Sequence, residues 1–263
     1  KQLAIWLRVM VVALALATTL ALGFSAAPTQ VSAWHVQRIQ SQVALQYHGL
    51  ALAPRKRPPL MLAPTEVIAV ATAPDAVVSA LVAYGHYLAV ILAAAALTVE
   101  RLTIKPAMSM EEENTMAIAD SVYGAAGVLL AVTGYLRVTA YGKGWEFYQH
   151  EPIFWLKLTL LSVAGAASFF PTTKIIQRSV EQRNNPNVPI EPMSEKLATR
   201  MTSIINAELL AFASIPLSAT LMSRGVAYAE WLPWQAGAVP PMLALFGLGY
   251  KYINEALEWQ EDP

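Results

Sequence analysis

The most constraining feature of this sequence is a set of long apolar runs that contain ionisable residues. Three such runs follow one another between residues 80 and 178, and each is long enough to cross a bilayer at about 1.5 Å of helix per residue. They carry His86, Glu100, Asp120, Arg137 and Lys157 at depths where water is scarce. Ionisable groups inside a bilayer are costly, so they indicate a polar interior site or a network that locks helices together. We therefore predict an integral membrane protein.

The composition agrees with this prediction and removes several function classes. Only 14% of the residues are charged, against roughly 25% in an ordinary soluble domain. Basic and acidic residues balance at eighteen each, so no net field favours nucleic acid as a partner. The absence of cysteine excludes disulfides and thiolate metal sites. Membrane lipid and other membrane proteins remain as the expected partners.

The chain divides into four predicted parts. Residues 1–34 form a signal-like apolar segment, which we expect to remain as a transmembrane helix; an interfacial helix is the alternative. Residues 35–76 contain five prolines, which predicts a lumenal extramembrane loop. Residues 77–225 contain four predicted spans, and residues 226–263 contain a C-terminal helix and tail. The five spans predicted after the loop lie at about 77–100, 116–139, 152–176, 199–222 and 236–253.

Together with the N-terminal helix these spans predict an all-α, polytopic membrane bundle of about six transmembrane helices. With six crossings, most of the basic residues near span ends lie on the same side of the membrane. By the positive-inside rule this is the cytoplasmic or stromal side. Both termini are then expected on that side. The residues concerned are Arg101, Lys105, Lys174, Arg178, Arg183, Lys196 and Arg200.

Small residues at helical spacing predict which faces of the spans point inward. Three faces are predicted to form one tightly packed core. They consist of His86, Ala89, Ala93, Ala96 and Glu100; of Asp120, Gly124, Gly127, Ala131 and Gly134; and of Lys157, Leu161, Ala164 and Ser168.

The charged residues separate by depth in this topology. Glu100, Asp120 and Glu208 lie toward the stromal side, where they form a polar core network. One hypothesis is that these three desolvated carboxyls form a proton relay. The alternative is structural: each carboxyl neutralises a nearby base or caps a helix end.

His86, Arg137 and Lys157 lie toward the lumenal ends and are the candidate cofactor-binding residues. His86 would ligate the metal of a tetrapyrrole, while Arg137 and Lys157 receive carboxylates or a lipid phosphate. A hydrogen-bonded set that fixes helix register is the alternative.

A family resemblance rests on the stretch from Asp120 to Arg137 (DSVYGAAGVLLAVTGYLR), the following YGKGWEFYQHEPIFWLKLTLL, SFFPTT and ATLMSRG. It resembles the uncharacterised domain-of-unknown-function 2214 family of bacterial and plastid membrane proteins over about residues 80–225. The resemblance implies a four-span bundle and no established chemistry. The residues matching the family's pattern are His86, Glu100, Gly134, Arg137, Lys143, Gly144, Tyr148, Pro152, Phe154, Trp155, Lys157, Pro171 and Thr172.

Occurrence of the family in plastids implies a thylakoid location for this chain. The parts outside the family pattern suit docking to a larger complex. We therefore expect an accessory, non-catalytic subunit of a photosystem supercomplex that binds chlorophyll and carotenoid at its edge. The alternative is a haem b oxidoreductase resembling the four-helix protoporphyrinogen oxidases, with His86 as axial ligand. A proton-coupled carrier using the three carboxyls is a third hypothesis, although no inverted repeat favours it.

Overall fold

The computed structural model describes residues 74–185 and 191–260. The chain divides into two compact units, one of residues 1–80 with 137–145 and one of residues 81–136 with 146–263. The predicted N-terminal span and proline-rich loop lie outside the described residues, except that residues 74–76 begin the first helix. The sites discussed below, Arg137 excepted, belong to the second unit.

Every regular element within the described ranges is helical, which confirms the all-α prediction. The first unit is described only at residues 74–80 and 137–145, which include the start of α1 and the end of α2. The helices are α1 (Pro74–Thr103), α2 (Met110–Thr139), α3 (Trp145–Tyr148), α4 (Pro152–Ala167), α5 (Phe169–Asn184), α6 (Glu195–Ser223), α7 (Trp234–Leu243) and, after a π-helical segment (Ala244–Leu248), α8 (Gly249–Glu258).

Four helical stretches have the length and hydropathy of membrane spans: Asp75–Thr103, Met110–Thr139, Pro152–Asn184 and Glu195–Ser223. The third combines α4 and α5, which join at Ser168. These four stretches confirm an integral membrane bundle that contains the four predicted family spans. The count of six spans stays a prediction, because the N-terminal segment is outside the described residues and the C-terminal helix is not among the four.

Capping explains why two spans begin earlier than their apolar runs. Before α2, the Ser109 hydroxyl accepts a hydrogen bond from the Glu112 N–H at 3.3 Å, and the Glu112 carboxylate accepts one from the Ser109 N–H at 2.9 Å. This reciprocal pair is a capping box. Before α6, the Ser194 hydroxyl accepts from the Leu197 N–H at 3.1 Å. The caps add amphipathic turns that hydropathy alone does not reveal.

The core of the second unit combines side chains from α1, α2, α4, α5, α6 and α8. The predicted inward face of α1 is confirmed, since all five of its residues are buried. The other two predicted faces are less accurate. On α4, Ala164 and Ser168 are buried, whereas Lys157 and Leu161 are only half-buried.

The predicted inward face of α2 is wrong between Asp120 and Gly134, although Gly134 itself is half-buried and packs beside His86. Gly124, Gly127 and Ala131 are exposed, and the buried positions are instead Glu113, Met116, Ala119, Asp120, Ala126, Leu130 and Thr133. Larger apolar side chains and polar groups with partners on other helices determine how this helix is rotated. Glycine has no side chain to bury, so its inward orientation stabilises the bundle little.

The C-terminal helix consists of α7, the π-helical segment and α8. It runs along α4 and α5 and has contacts near both of its own ends. Near its start, Gly237 packs on the Trp155 indole at the beginning of α4. Gly249 packs on Phe169 at the start of α5. Near its end, Glu255 pairs with Arg200 in the second turn of α6, with Nε and Oε1 2.7 Å apart. The helix is therefore antiparallel to α6.

Candidate functional site

Three spans bring their carboxyl groups together in the core of the second unit. Glu100 on α1 and Glu208 on α6 are each 1% exposed, and Asp120 on α2 is 9% exposed. The three are close enough to interact electrostatically. The structure thus places the predicted acidic residues in one cluster, which we call the carboxyl cluster (Glu100, Asp120 and Glu208).

Hydroxyl groups surround the carboxyl cluster but leave part of it without partners. The Thr172 hydroxyl donates to Asp120 Oδ1 at 2.5 Å, and the Tyr123 side chain lies close to Glu208 and Ser168. Oε1 of Glu100 and both carboxyl oxygens of Glu208 are shielded from solvent and have no hydrogen bond of good geometry to any described residue, although the Tyr123 phenol is a neighbouring donor for Glu208. An ionised carboxylate in that position is strongly destabilising.

The cations that lie at the same end of the bundle bind other groups. Arg178 contacts Glu113 through Nε at 3.0 Å and through Nη2 at 2.5 Å. Arg200 binds Glu255, and the Arg101 Nε donates to Asn206 Oδ1 at 2.7 Å. The sequence raised the alternative that a nearby base neutralises each acid of the carboxyl cluster. These three arginines do not do so, because they bind Glu113, Glu255 and Asn206 instead.

The geometry also bears on metal binding. Across the described residues, no group of three or more histidine or acidic side chains has the spacing needed to hold a metal ion. The three carboxyls are near one another without converging on a single point. This arrangement suits protons, which are passed between neighbouring oxygens, better than a multidentate ion.

His86 lies in the interior of the bundle and is 7% exposed. Its Nδ1 is 3.0 Å from the Thr133 hydroxyl on α2. That hydroxyl lies 2.6 Å from the Leu129 carbonyl, the acceptor that a helical threonine commonly uses, so we assign Nδ1 as the donor in the His86–Thr133 bond. Only Nε2 of His86 can then serve as a metal ligand.

The two predicted basic partners of His86 are half-buried. Lys157 is in the second turn of α4, and Arg137 is in the last turn of α2. Arg137 belongs to the first compact unit, so its convergence with His86 and Lys157 stays a prediction.

An apolar groove of about 300 Å³ lies on the outer surface between α1 and α2. Its walls come from one face of each helix and include Thr115 as the one residue with a polar side chain. The lining residues are Leu92, Ala95, Ala96, Val99, Thr115, Ile118, Ala119 and Val122. The groove fits a hydrocarbon chain.

Comparison with known families then identifies the bundle. Residues 78–227 match the family described as "Predicted membrane protein (DUF2214)", which is more than half of the 263-residue chain. The chain belongs to the DUF2214 family. The comparisons with curated proteins and with solved structures gave no match.

The residues matched to DUF2214 include both the carboxyl cluster and the His86 site. Sequence reasoning missed two residues of these sites. Tyr123 and Thr133 were not identified as contributors. Tyr123 follows Asp120 by three positions, which places it on the same helix face. A search for hydroxyl residues at that spacing would have found it. Thr133 gives no such signal, because its partner His86 is on another helix.

Proposed function

We propose that this DUF2214 protein is an accessory subunit of a photosynthetic membrane complex in the thylakoid, where it binds chlorophyll and carotenoid at the complex edge. The observation that carries this proposal is the His86–Thr133 hydrogen bond at 3.0 Å. Histidines that ligate a metal nearly always donate their other ring N–H to a neighbouring acceptor, which fixes the tautomer and ring orientation. His86 meets that condition inside a membrane span.

The fit of His86 to a tetrapyrrole is supported by its surroundings on the α2 side. A Cβ atom at Gly134 would be 3.2 Å from His86 Cε1. Glycine at this position therefore lets α2 approach one edge of the imidazole while Thr133 binds Nδ1. Chlorophyll magnesium needs one axial ligand, which Nε2 of His86 would supply.

The outer groove between α1 and α2 supports a second, elongated ligand. Apolar side chains form nearly all of its lining, as expected for the polyene of a carotenoid or for a lipid acyl chain. A groove on the outer surface would place such a molecule between this subunit and a neighbour.

The C-terminal helix supports a further crossing beyond the four spans. Its three consecutive pieces have ten, five and ten residues, which is long enough for a hydrocarbon core of about 30 Å. Its contacts with Trp155 at one end and Arg200 at the other support a helix that passes through the membrane beside α4 and α5. With the predicted N-terminal span, six crossings result.

Haem b is the alternative occupant of the His86 site, in an oxidoreductase. The His86–Thr133 bond serves an iron ligand as well as a magnesium ligand, and Lys157 would receive a propionate. Redox chemistry would come from the bound haem, while the chain would orient it and exclude water. The two candidates differ in which pigment accompanies the protein.

Gentle purification of the full-length protein, followed by an absorption spectrum and pigment extraction, distinguishes the two. Chlorophyll together with co-migrating photosystem subunits is the result expected for the accessory subunit. A reducible Soret band without chlorophyll would favour the haem enzyme. A stable, colourless monomer would overturn both.

Variants test the assignment of the ligand. Replacing His86→Ala should remove the metal-bound pigment, and Thr133→Val should shift its absorption because Nδ1 loses its acceptor. His150→Gln is the matched control, since His150 Nδ1 binds the Leu232 carbonyl at 3.1 Å outside the spans. Unchanged pigment content in His86→Ala would contradict the assignment.

A further inference from the structure

The proposed pigment sites do not use the carboxyl cluster, so its chemistry requires an explanation of its own. Glu100 and Glu208 are almost completely buried, and three of their four oxygens have no hydrogen-bond partner within the described part of the chain. Groups of this kind are costly in hydrocarbon and mark a functional site by default. We infer that Glu100 and Glu208, with Asp120 and Tyr123, form a proton-binding site inside the membrane bundle.

The first argument concerns the number of donors and acceptors. Ionised carboxylates only accept hydrogen bonds, so three of them cannot bond to one another. Thr172 supplies one donor and uses it on Asp120. The phenol of Tyr123, which is close to Glu208 and Ser168, supplies one more. Each proton bound to a glutamate turns an acceptor into a donor, which allows the neighbouring carboxyls to bond.

The second argument concerns charge. The titratable groups that act on Glu208 are Glu100 and Asp120 from α1 and α2 and the Tyr123 hydroxyl. From α5 the cluster is faced by Thr172, and from the α4–α5 junction Tyr123 is faced by Ser168. Three negative charges so close together repel, and two arginines at the same end of the bundle, Arg178 and Arg200, are already paired with Glu113 and Glu255. Bound protons remove this repulsion without a counter-charge.

The third argument concerns access from the positively charged side. A polar crevice of about 540 Å³ lies between α2 and α5 and is lined by Ser121, Ser179, Gln182 and Arg183 among others. These are the two helices that the Asp120–Thr172 bond joins. Ser121 lines the crevice next to Asp120 in the sequence. The crevice therefore brings solvent to the part of α2 that carries Asp120, and we place proton entry at that end of the cluster.

The decisive test compares Glu→Gln substitutions in the full-length protein in detergent. Glutamine resembles a neutral glutamic acid, so Glu100→Gln and Glu208→Gln should keep the thermal stability of the wild type at neutral pH. Glu113→Gln is the matched control: Glu113 is buried but paired with Arg178, so its neutralisation should lower stability. A loss in Glu208→Gln as large as in Glu113→Gln would overturn the inference.

Infrared spectroscopy then measures the bound protons directly. The wild type at neutral pH should show the carbonyl stretch of protonated carboxylic acids. That band should lose area in each single variant and lose the largest share in the Glu100→Gln, Glu208→Gln double variant, while Glu255→Gln leaves it unchanged. Absence of the band in the wild type would overturn the proposal.

A second measurement needs no variant. Dicyclohexylcarbodiimide adds to protonated carboxyl groups in apolar surroundings, and peptide mapping should find it on Glu208 or Glu100. Labelling should decrease as the pH rises, equally in sodium and in choline chloride. If sodium chloride but not choline chloride protected the carboxyls from labelling, the site would bind a monovalent metal ion rather than a proton. Labelling confined to surface acids would contradict the site.

Discussion

At the scale of single residues, the buried ion pair between Arg178 and Glu113 makes the sharpest prediction about stability. The exposed fractions of the two side chains are 13% and 7%, and Arg178 also donates to the Glu191 carbonyl at 3.0 Å. Arg178→Met leaves Glu113 buried without its partner, which should cost about 3–5 kcal/mol of unfolding free energy. Thermal unfolding in detergent measures this loss.

Lys105→Met is the matched control for that substitution. Lys105 pairs with Glu112 at 2.6 Å, but its side chain is 55% exposed. Exposed ion pairs contribute little to stability, so this variant should unfold close to the wild-type temperature. Equal losses of stability in Arg178→Met and Lys105→Met would contradict the prediction that the buried ion pair contributes more than the exposed one.

The residues also show how far sequence reasoning reaches at this scale. Charged residues in apolar runs stand out, and the structure brings three of them, Glu100, Asp120 and Glu208, close together. The partners of such residues do not stand out. Thr133 resembles any helical threonine until α1 places His86 beside it, and whether Glu113 or Glu208 receives an arginine depends on packing between helices distant in sequence.

At the scale of helices, the contact of Gly237 with Trp155 predicts a strict size limit. A Cβ atom at position 237 would be 2.3 Å from the Trp155 Nε1, and the Trp155 indole is fixed by its hydrogen bond to the Gln149 carbonyl at 3.0 Å. Gly237→Ala should therefore cost roughly 1–3 kcal/mol through overpacking, measured by chemical or thermal unfolding.

Gly247→Ala on the same C-terminal helix provides the control. Apart from the adjacent helix backbone, no atom of the described residues lies within 4 Å of a Cβ placed there, and alanine favours helix over glycine. This variant should be as stable as the wild type or more stable. A stable Gly237→Ala protein would show that the start of the C-terminal helix does not pack on α4 as described.

Helices were predictable to different degrees. Hydropathy identified the four spans, but it ended the third at about residue 176, whereas the helix continues to Asn184. The beginning of α2 at Met110 depends on the Ser109–Glu112 capping box, which is polar and precedes the apolar run. The rotation of α2 was not predictable from small residues alone. Met116, Leu130 and Thr133 have larger side chains and are buried, whereas glycines at positions 124 and 127 have no side chain that would favour burial.

At the scale of the whole molecule, the topology decides which side of the membrane each site faces. The chain has no cysteine, so single cysteines can be introduced without a background. Lys105→Cys, between α1 and α2, and Ser223→Cys, at the end of α6, are at exposed positions. In sealed vesicles a membrane-impermeant maleimide should label these two from opposite sides, because α2, α4–α5 and α6 make three crossings between them.

The same method tests the C-terminal helix. If the helix Trp234–Glu258 crosses the membrane, Gln260→Cys should react from the side that labels Lys105→Cys; if it lies on the surface, from the side that labels Ser223→Cys. We expect the first result, because the pairing of Glu255 with Arg200 places the end of α8 beside the start of α6. Arg200 belongs to the basic group that predicts the cytoplasmic or stromal side. Labelling of Gln260→Cys from the Ser223 side would remove this crossing and, with it, the six-span count.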